Sequence, residues 1–156
     1  MSDMTARNEY ALITGASAGL GAEFARQLAA DGHNLILVAR REDRLSALAE
    51  QLRAAHKIDC QLIVADLNEP GAGAQISSTC VSSDWQVSWL VNNAGVAGPD
   101  LLKDRDWAAQ QTFFQLMMLS VADLCHRMIP NMVEGGYGRV INVCLLYTSP
   151  SPRDRG

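Results

Sequence analysis

The sequence has little of several residue types, and each shortage excludes a class of protein. Of its 156 residues only 19% are charged and 6% aromatic, and the 13 Lys and Arg residues against 17 Asp and Glu residues give a net charge of −4. A surface that binds nucleic acid needs an excess of positive charge, so nucleic acid is not an expected partner. Because 48% of the residues are hydrophobic, the sequence indicates a folded domain rather than a disordered chain.

Cysteine and long apolar runs are also scarce. The four cysteines, Cys60, Cys80, Cys125 and Cys144, form no CxxC pair and have no histidine at zinc-ligand spacing, so neither a metal site nor a disulfide framework is predicted. No run of about 18 apolar residues could cross a bilayer, and residues 1–10 lack the apolar core of a signal peptide. We therefore expect reduced thiols, no membrane partner and a cytoplasmic location.

Short apolar runs alternate with helical patterns along the chain. The runs predicted as strands are Tyr10–Thr14, Asn34–Ala39, Cys60–Ala65, Trp89–Val91 and Arg139–Val143. Helical patterns lie between them, with a weak helix within Asn68–Asp84 and a long one over Trp107–Met132. This alternation predicts an α/β fold, a doubly wound parallel sheet with helices on both faces.

Glycines concentrate in the first strand-to-helix turn, TGASAGLG. Such a turn lets the backbone approach a pyrophosphate and directs free N–H groups and the positive end of a helix at the phosphates. No Lys stands directly after the last glycine of this turn, which excludes the phosphate loop of nucleotide hydrolases. An ordinary glycine-rich connection is the alternative. The candidate cofactor-binding residues of this turn are Thr14, Gly15, Ser17, Gly19, Leu20 and Gly21.

Two arginines follow the second predicted strand, where an NAD site usually has an acid for the ribose hydroxyls. The sequence there is Ala39-Arg40-Arg41. Guanidinium groups match a 2′-phosphate through bidentate, charge-assisted hydrogen bonds, so Arg40 and Arg41 indicate NADP, with NAD less favoured. The alternative is that both are solvated residues at a helix start, where the helix dipole mildly disfavours them.

Candidate binding residues also follow the third and fourth strands. Asp66 is placed to accept a hydrogen bond from an adenine amino group while Leu67 packs on the ring, and a helix N-cap is the alternative role for Asp66. After the fourth strand the sequence is NNAG, which contributes Asn93, Ala94 and Gly95. Its amides can tie strand ends together and its small residues leave room for a ribose, whereas a simple turn is the alternative.

The ordered combination of TGASAGLG, VARR, Asp66-Leu67 and LVNNAG resembles the short-chain dehydrogenase/reductase (SDR) family from about Tyr10 to Val143. The resemblance implies a Rossmann-type, NAD(P)-dependent oxidoreductase that reduces a small-molecule carbonyl or oxidises an alcohol, and a homo-oligomeric parent enzyme. In that family a Tyr transfers the proton, a Lys four residues later lowers its pKa, a Ser orients the substrate oxygen and an Asn in the long helix holds a water relay.

The catalytic residues of the family have no counterpart in this sequence. Cys144 and Leu145 stand where the family has its Ser, and no Lys follows Lys103, so a Tyr-x-x-x-Lys pair is absent. The family's Asn aligns with Met117, whose thioether cannot relay a proton. We therefore assign no catalytic residue and expect the chain as written to be inactive.

The C-terminal stretch departs from the strand-and-helix pattern. Residues 145–156 contain Pro150 and Pro152 and no apolar period, and a sheet that ends on its fifth strand leaves that strand partly uncovered. We expect a partial NAD(P)-binding domain over residues 1–143, incomplete at its C-terminal end, and a disordered, unrelated tail over residues 144–156. Two explanations of this ending are considered, a reductase interrupted near Val143 and a genuine short protein. The alternatives to an oxidoreductase are a non-catalytic dinucleotide-binding or interaction protein and a non-functional truncated product.

Overall fold

The computed structural model describes residues 8–100 and 103–143. Its strands are β1 (Glu9–Thr14), β2 (Asn34–Ala39), β3 (Cys60–Val64), β4 (Gln86–Asn92) and β5 (Arg139–Asn142). Its helices are α1 (Gly19–Ala30), α2 (Glu42–His56), α3 (Ala72–Ser82), α4 (Trp107–Phe114) and α5 (Ser120–Glu134). Each predicted strand and the weak helix are confirmed, whereas the predicted tail, residues 144–156, lies outside the described residues.

The strands form one parallel sheet in the order β3-β2-β1-β4-β5. The chain runs outward from β1 to β3 and then crosses back to place β4 on the other side of β1. The predicted doubly wound sheet is therefore confirmed. Because the connections after β1 and β4 lead to opposite faces of such a sheet, a crevice opens at the carboxyl ends of these two strands.

Apolar clusters cover both faces of the sheet. Leu35 and Leu37 of β2 pack with α1 and α2, whereas Ile36 and Val38 pack with α3 and α5. All four side chains are fully buried. Burial on both faces explains why β2 is an unbroken aliphatic run rather than an alternation of apolar and polar residues.

The long helical pattern over residues 107–132 is not one continuous α-helix. A π turn, Gln115–Leu119, separates α4 from α5, and the Ser120 hydroxyl donates a hydrogen bond to the carbonyl of Leu116 at 2.6 Å. The apolar residues keep a nearly helical spacing through this turn, so the sequence pattern did not reveal it. Such turns are frequent at functional sites, and this one borders the cleft described below.

Tyr10 fastens the start of β1 to the turn before β3. Its buried hydroxyl donates a hydrogen bond to a carboxylate oxygen of Asp59 at 2.6 Å. Burial alone would raise the pKa of Asp59, but hydrogen bonds from Tyr10, Gln61 and the Cys60 N–H, together with the charge of Arg53, lower it below its usual value. The ionised form of Asp59 is therefore the one that stabilises the fold.

We expect Tyr10→Phe to lower the free energy of unfolding by about 1 kcal/mol near neutral pH, because Asp59 loses a charge-assisted hydrogen bond at an exposed carboxylate. Since the folded pKa of Asp59 is lowered, this stabilisation is complete above the unfolded pKa of about 4 and is lost as the pH falls through the folded pKa. Urea unfolding of both proteins over this range measures the difference, and a difference independent of pH would contradict the assignment.

Candidate functional site

A cleft with a volume of about 960 Å³ opens at the carboxyl ends of β1 and β4, where the strand order reverses. This volume lies in the usual range for ligand sites, about 300–1,000 Å³. The predicted residues that line it are Gly15, Ser17, Gly19, Leu20, Arg40, Arg41, Asp66, Leu67, Asn93, Ala94 and Gly95. Thr14 and Gly21, which were also predicted to bind, do not line the cleft and lie behind its surface.

The hydroxyl of Thr14 joins β1 to the segment that follows β4. It accepts hydrogen bonds from the N–H groups of Asn93 and Ala94, both at 3.0 Å, and donates one to the carbonyl of Val91 at 3.4 Å. Thr14 is only 1% exposed. Its side chain therefore holds the two strand ends together rather than reaching into the cleft.

The glycines of the first turn allow the same strand ends to pack closely. The Asn93 amide donates to the carbonyls of Thr14 at 3.1 Å and of Gly15 at 3.3 Å. Gly15 has a φ of +65°, and a Cβ there would lie 2.8 Å from the Ala94 Cα. A Cβ on Gly21 would collide with the Gly15 carbonyl and the Asn93 amide. The structure thus shows the tie between strand ends that the NNAG motif predicts.

The N-terminus of α1 points at the cleft and has no side-chain cap among the described residues. Its N-cap is Ala18, which has no side-chain oxygen, and its first turn contains no acidic residue. Gly19 has a φ of +56°, and apart from its chain neighbours and its own helix backbone no described atom lies within 4 Å of the position that its Cβ would take. A helix end of this kind presents unpaired N–H groups and positive potential, which together favour an anion.

The two arginines lie at the rim of the cleft. Arg41 donates a hydrogen bond to the Ser17 hydroxyl at 3.2 Å, and an Arg40 nitrogen lies 3.9 Å from a carboxylate oxygen of Asp66. Arg41 is the N-cap of α2, so the alternative of a helix start is correct for its position. Both exposed side chains nevertheless line the cleft and give one end of it two positive charges.

Asp66 is not a helix N-cap, so the alternative role considered for it was wrong. The N-cap of α3 is Gly71, and a turn closed by the Glu69 N–H on the Asp66 carbonyl at 2.9 Å precedes that helix. One carboxylate oxygen of Asp66 accepts hydrogen bonds from the Asn68 backbone N–H at 3.0 Å and its side-chain amide at 2.8 Å. The other oxygen faces Arg40.

The sequence did not predict the opposite side of the cleft. This side is formed by the segment after Gly95 and by α4 with its π turn, through Val96, Ala97, Gly98, Pro99, Ala109, Thr112, Phe113, Leu116 and Met117. The helical period predicted a helix here, but it could not show that one side of this helix borders a cleft. The repeated glycines of the AGVAGP sequence were the available signal of close packing there.

The remaining polar groups include possible metal ligands and free thiols. The described residues contain no group of His, Cys, Asp and Glu side chains that could hold a metal ion, and no helix with the length and hydropathy that a bilayer crossing needs. Burial raises the pKa of the Cys60 thiol to about 12 and that of Cys80 to about 11. Both therefore remain protonated thiols near neutral pH.

Residues 9–150 match the family described as short chain dehydrogenase. Sulfoacetaldehyde reductase 2 from Chromohalobacter salexigens is 33% identical over 135 residues, which cover 86% of this chain and 53% of that protein. A short-chain dehydrogenase from Sphingobium yanoikuyae, solved in complex with NADPH, is 32% identical with a TM-score of 0.80, over 88% of this chain and 54% of that one. L-sorbose reductase from Gluconobacter frateurii, solved with NADPH and L-sorbose, is 28% identical with a TM-score of 0.79, over 85% and 51%. The chain spans about half the length of these relatives.

Replacing the Thr14 hydroxyl tests the tie behind the cleft. We expect Thr14→Val to lower the free energy of unfolding by about 2 kcal/mol, because the partly buried N–H groups of Asn93 and Ala94 then face a methyl group. Thr14→Ser keeps the hydroxyl and should lose much less. Urea unfolding followed by circular dichroism measures both variants, and equal losses would contradict the hydrogen bonds assigned to Thr14.

Proposed function

Because the chain belongs to the short-chain dehydrogenase family, we propose that it binds NADP(H) and forms the cofactor-binding part of an oxidoreductase for a small-molecule carbonyl or alcohol. The observation that carries the choice of NADP(H) is the pair of arginines at the rim. Arg40 and Arg41 lie at the end of β2, where an acid would select the ribose hydroxyls of NAD. The solved relatives that contain NADPH support a nicotinamide dinucleotide as the ligand.

The charge and the glycine backbone at one end of the cleft support this proposal. The uncapped end of α1 and the turn from Gly15 to Gly21 would hold the pyrophosphate, because a glycine backbone permits close approach and the helix end is positive. Arg40, Arg41 and the Ser17 hydroxyl would hold the 2′-phosphate through charge-assisted hydrogen bonds. The phosphate groups would therefore lie on the side of the cleft that carries the positive charge.

The remaining predicted residues would hold the nucleoside groups. Asp66 would accept a hydrogen bond from the adenine amino group, and the turn held by Asn68 fixes its carboxylate for that contact. Leu67, which is 5% exposed, offers an apolar surface beside it. Asn93, locked to β1, and the small residues Ala94 and Gly95 leave room for a ribose.

When bound, the cofactor would supply or accept a hydride. The described residues of this chain would bind and orient it, and none of them is assigned the proton transfer to the substrate oxygen. Met117 lies on the cleft surface, where its thioether can pack but cannot relay a proton. A cytoplasmic location, a homo-oligomeric parent enzyme and the boundary at Val143 remain predictions from the sequence.

Cofactor preference is the first test of this proposal. We expect the chain to bind NADPH at least about tenfold more tightly than NADH, a difference of about 1.4 kcal/mol, because only NADPH carries the 2′-phosphate. Arg40→Asp should reverse or abolish the preference, because a carboxylate repels that phosphate and accepts from a ribose hydroxyl. Isothermal titration calorimetry with both cofactors gives the dissociation constants.

A matched control separates this effect from a general loss of charge. Arg44→Asp makes the same substitution in α2, at a residue that does not line the cleft, and should leave the preference unchanged. Equal affinity of the unmutated chain for NADPH and NADH would contradict the role of the arginines.

Catalytic activity is the second test. We expect no measurable NADPH oxidation by the chain as written with a panel of aldehydes, ketones and quinones, because a positioned proton donor usually contributes about 10²–10⁴-fold and none is assigned. The control joins residues 1–143 to a complete reductase ending that carries the Ser and the Tyr-x-x-x-Lys pair. Comparable turnover by both proteins, followed by NADPH absorbance, would show that the catalytic centre lies elsewhere in the chain.

A further inference from the structure

Two glycines after β4 pack against side chains of the helical segment that borders the cleft. A Cβ on Gly98 would lie 2.7 Å from Cζ and 2.8 Å from Cε2 of Phe113. A Cβ on Gly95 would lie 3.1 Å from Sδ and 3.3 Å from Cε of Met117. Phe113 and Met117 both line the cleft, so they project to the same side of this helical segment. Each glycine therefore forms a seat for one of these side chains.

Packing, rather than backbone conformation, favours glycine at both positions, and more strongly at Gly98. Neither Gly95 nor Gly98 is among the described residues with a positive φ, so an alanine could adopt either backbone conformation without strain. A methyl group on Gly98 would instead displace the Phe113 ring, whereas one on Gly95 would shift the Met117 thioether by a few tenths of an ångström. The Phe113 ring also contacts the Phe114 ring, with 5.9 Å between the two centroids.

These contacts act on a segment that has few other attachments. We call residues 95–99 the loop wall, because every one of them lines the cleft. The last backbone hydrogen bond before the loop wall is that of the Ala94 N–H to Thr14. Within the described part of the chain, the backbone groups of residues 95–99 make none. Side-chain packing from α4 and its π turn is therefore what holds the loop wall in place.

We propose that Phe113 and Met117 are positioning residues that seat the loop wall through Gly98 and Gly95 and thereby set the width of the cofactor cleft. The π turn contributes by carrying Met117 on the same side as Phe113. This inference rests on the proposed function only for its effect on NADPH binding. The seating itself is a property of the cofactor-free chain and can be measured separately.

Backbone mobility of the loop wall tests the seating without cofactor. In Phe113→Ala the ¹⁵N order parameters of residues 95–98 should fall from about 0.85 to below about 0.6, whereas those of β1 and β2 stay unchanged. Met118→Ala is the matched control, because this side chain of the π turn is 60% exposed and does not line the cleft. Unchanged order parameters in Phe113→Ala, or an equal fall in Met118→Ala, would overturn the proposal.

Binding of NADPH to a set of four proteins tests the effect on the cleft. Gly98→Ala and Phe113→Ala should each raise the dissociation constant about five- to tenfold. The double variant should bind no more weakly than Phe113→Ala alone, because the added methyl group then fills the space that the ring left. Additive effects would instead identify two independent ligand contacts and would overturn the positioning role.

The two measurements fail in distinguishable ways. Absence of NADPH binding by the unmutated chain would overturn the proposed function, whereas the order parameters would still decide whether Phe113 seats the loop wall. If Phe113→Ala does not fold, Phe113→Leu replaces it, since leucine keeps an apolar side chain but cannot fill the seat of the ring. A loop wall in Phe113→Leu as rigid as in the unmutated chain would count against the proposal.

Discussion

The buried hydroxyl of Thr14 is the constraint on which the cleft depends. This hydroxyl forms hydrogen bonds with the backbone on both sides of the end of β4, and these bonds fix the position of the Asn93 backbone. The Asn93 side-chain amide in turn fixes the Gly15 carbonyl. The direction of α1 follows, since Gly21 packs against these same groups. The loop wall begins directly after Ala94, which the Thr14 hydroxyl also holds. The backbone on both sides of the cleft is therefore positioned by the Thr14 side chain.

Local signals in the sequence predicted the fold and one side of the cleft. The aliphatic run of β2 indicated burial on both faces, and the clusters on either side of Leu35 and Ile36 confirm it. The glycine-rich turn and Arg40 could be placed because each lies at a strand end that the alternation of strands and helices had located. Parallel strands then bring these ends to one edge, so a correct strand assignment was sufficient.

The rest could not be predicted because it depends on contacts between distant segments. The sequence showed Thr14 as part of a binding motif. Only the position of β4 beside β1 reveals that its hydroxyl forms hydrogen bonds behind the cleft surface. A turn separates Asp66 from α3, so this residue is too far from the start of the helix to be its N-cap. The sequence predicted a helix around Phe113, but helical periodicity does not distinguish a packed interior from the side of a cleft.

The separation between the partners of this tie also sets the order in which the molecule can assemble. Thr14 and Asn93 are 79 residues apart in the chain, whereas the β1–β2 unit closes over a much shorter loop. During synthesis, β1, β2 and β3 are complete before β4 emerges, so the glycine-rich turn exists for a time without the partner that fixes it. A ligand that needs both sides can bind only after this late, non-local step, and its binding then stabilises the assembled sheet by mass action.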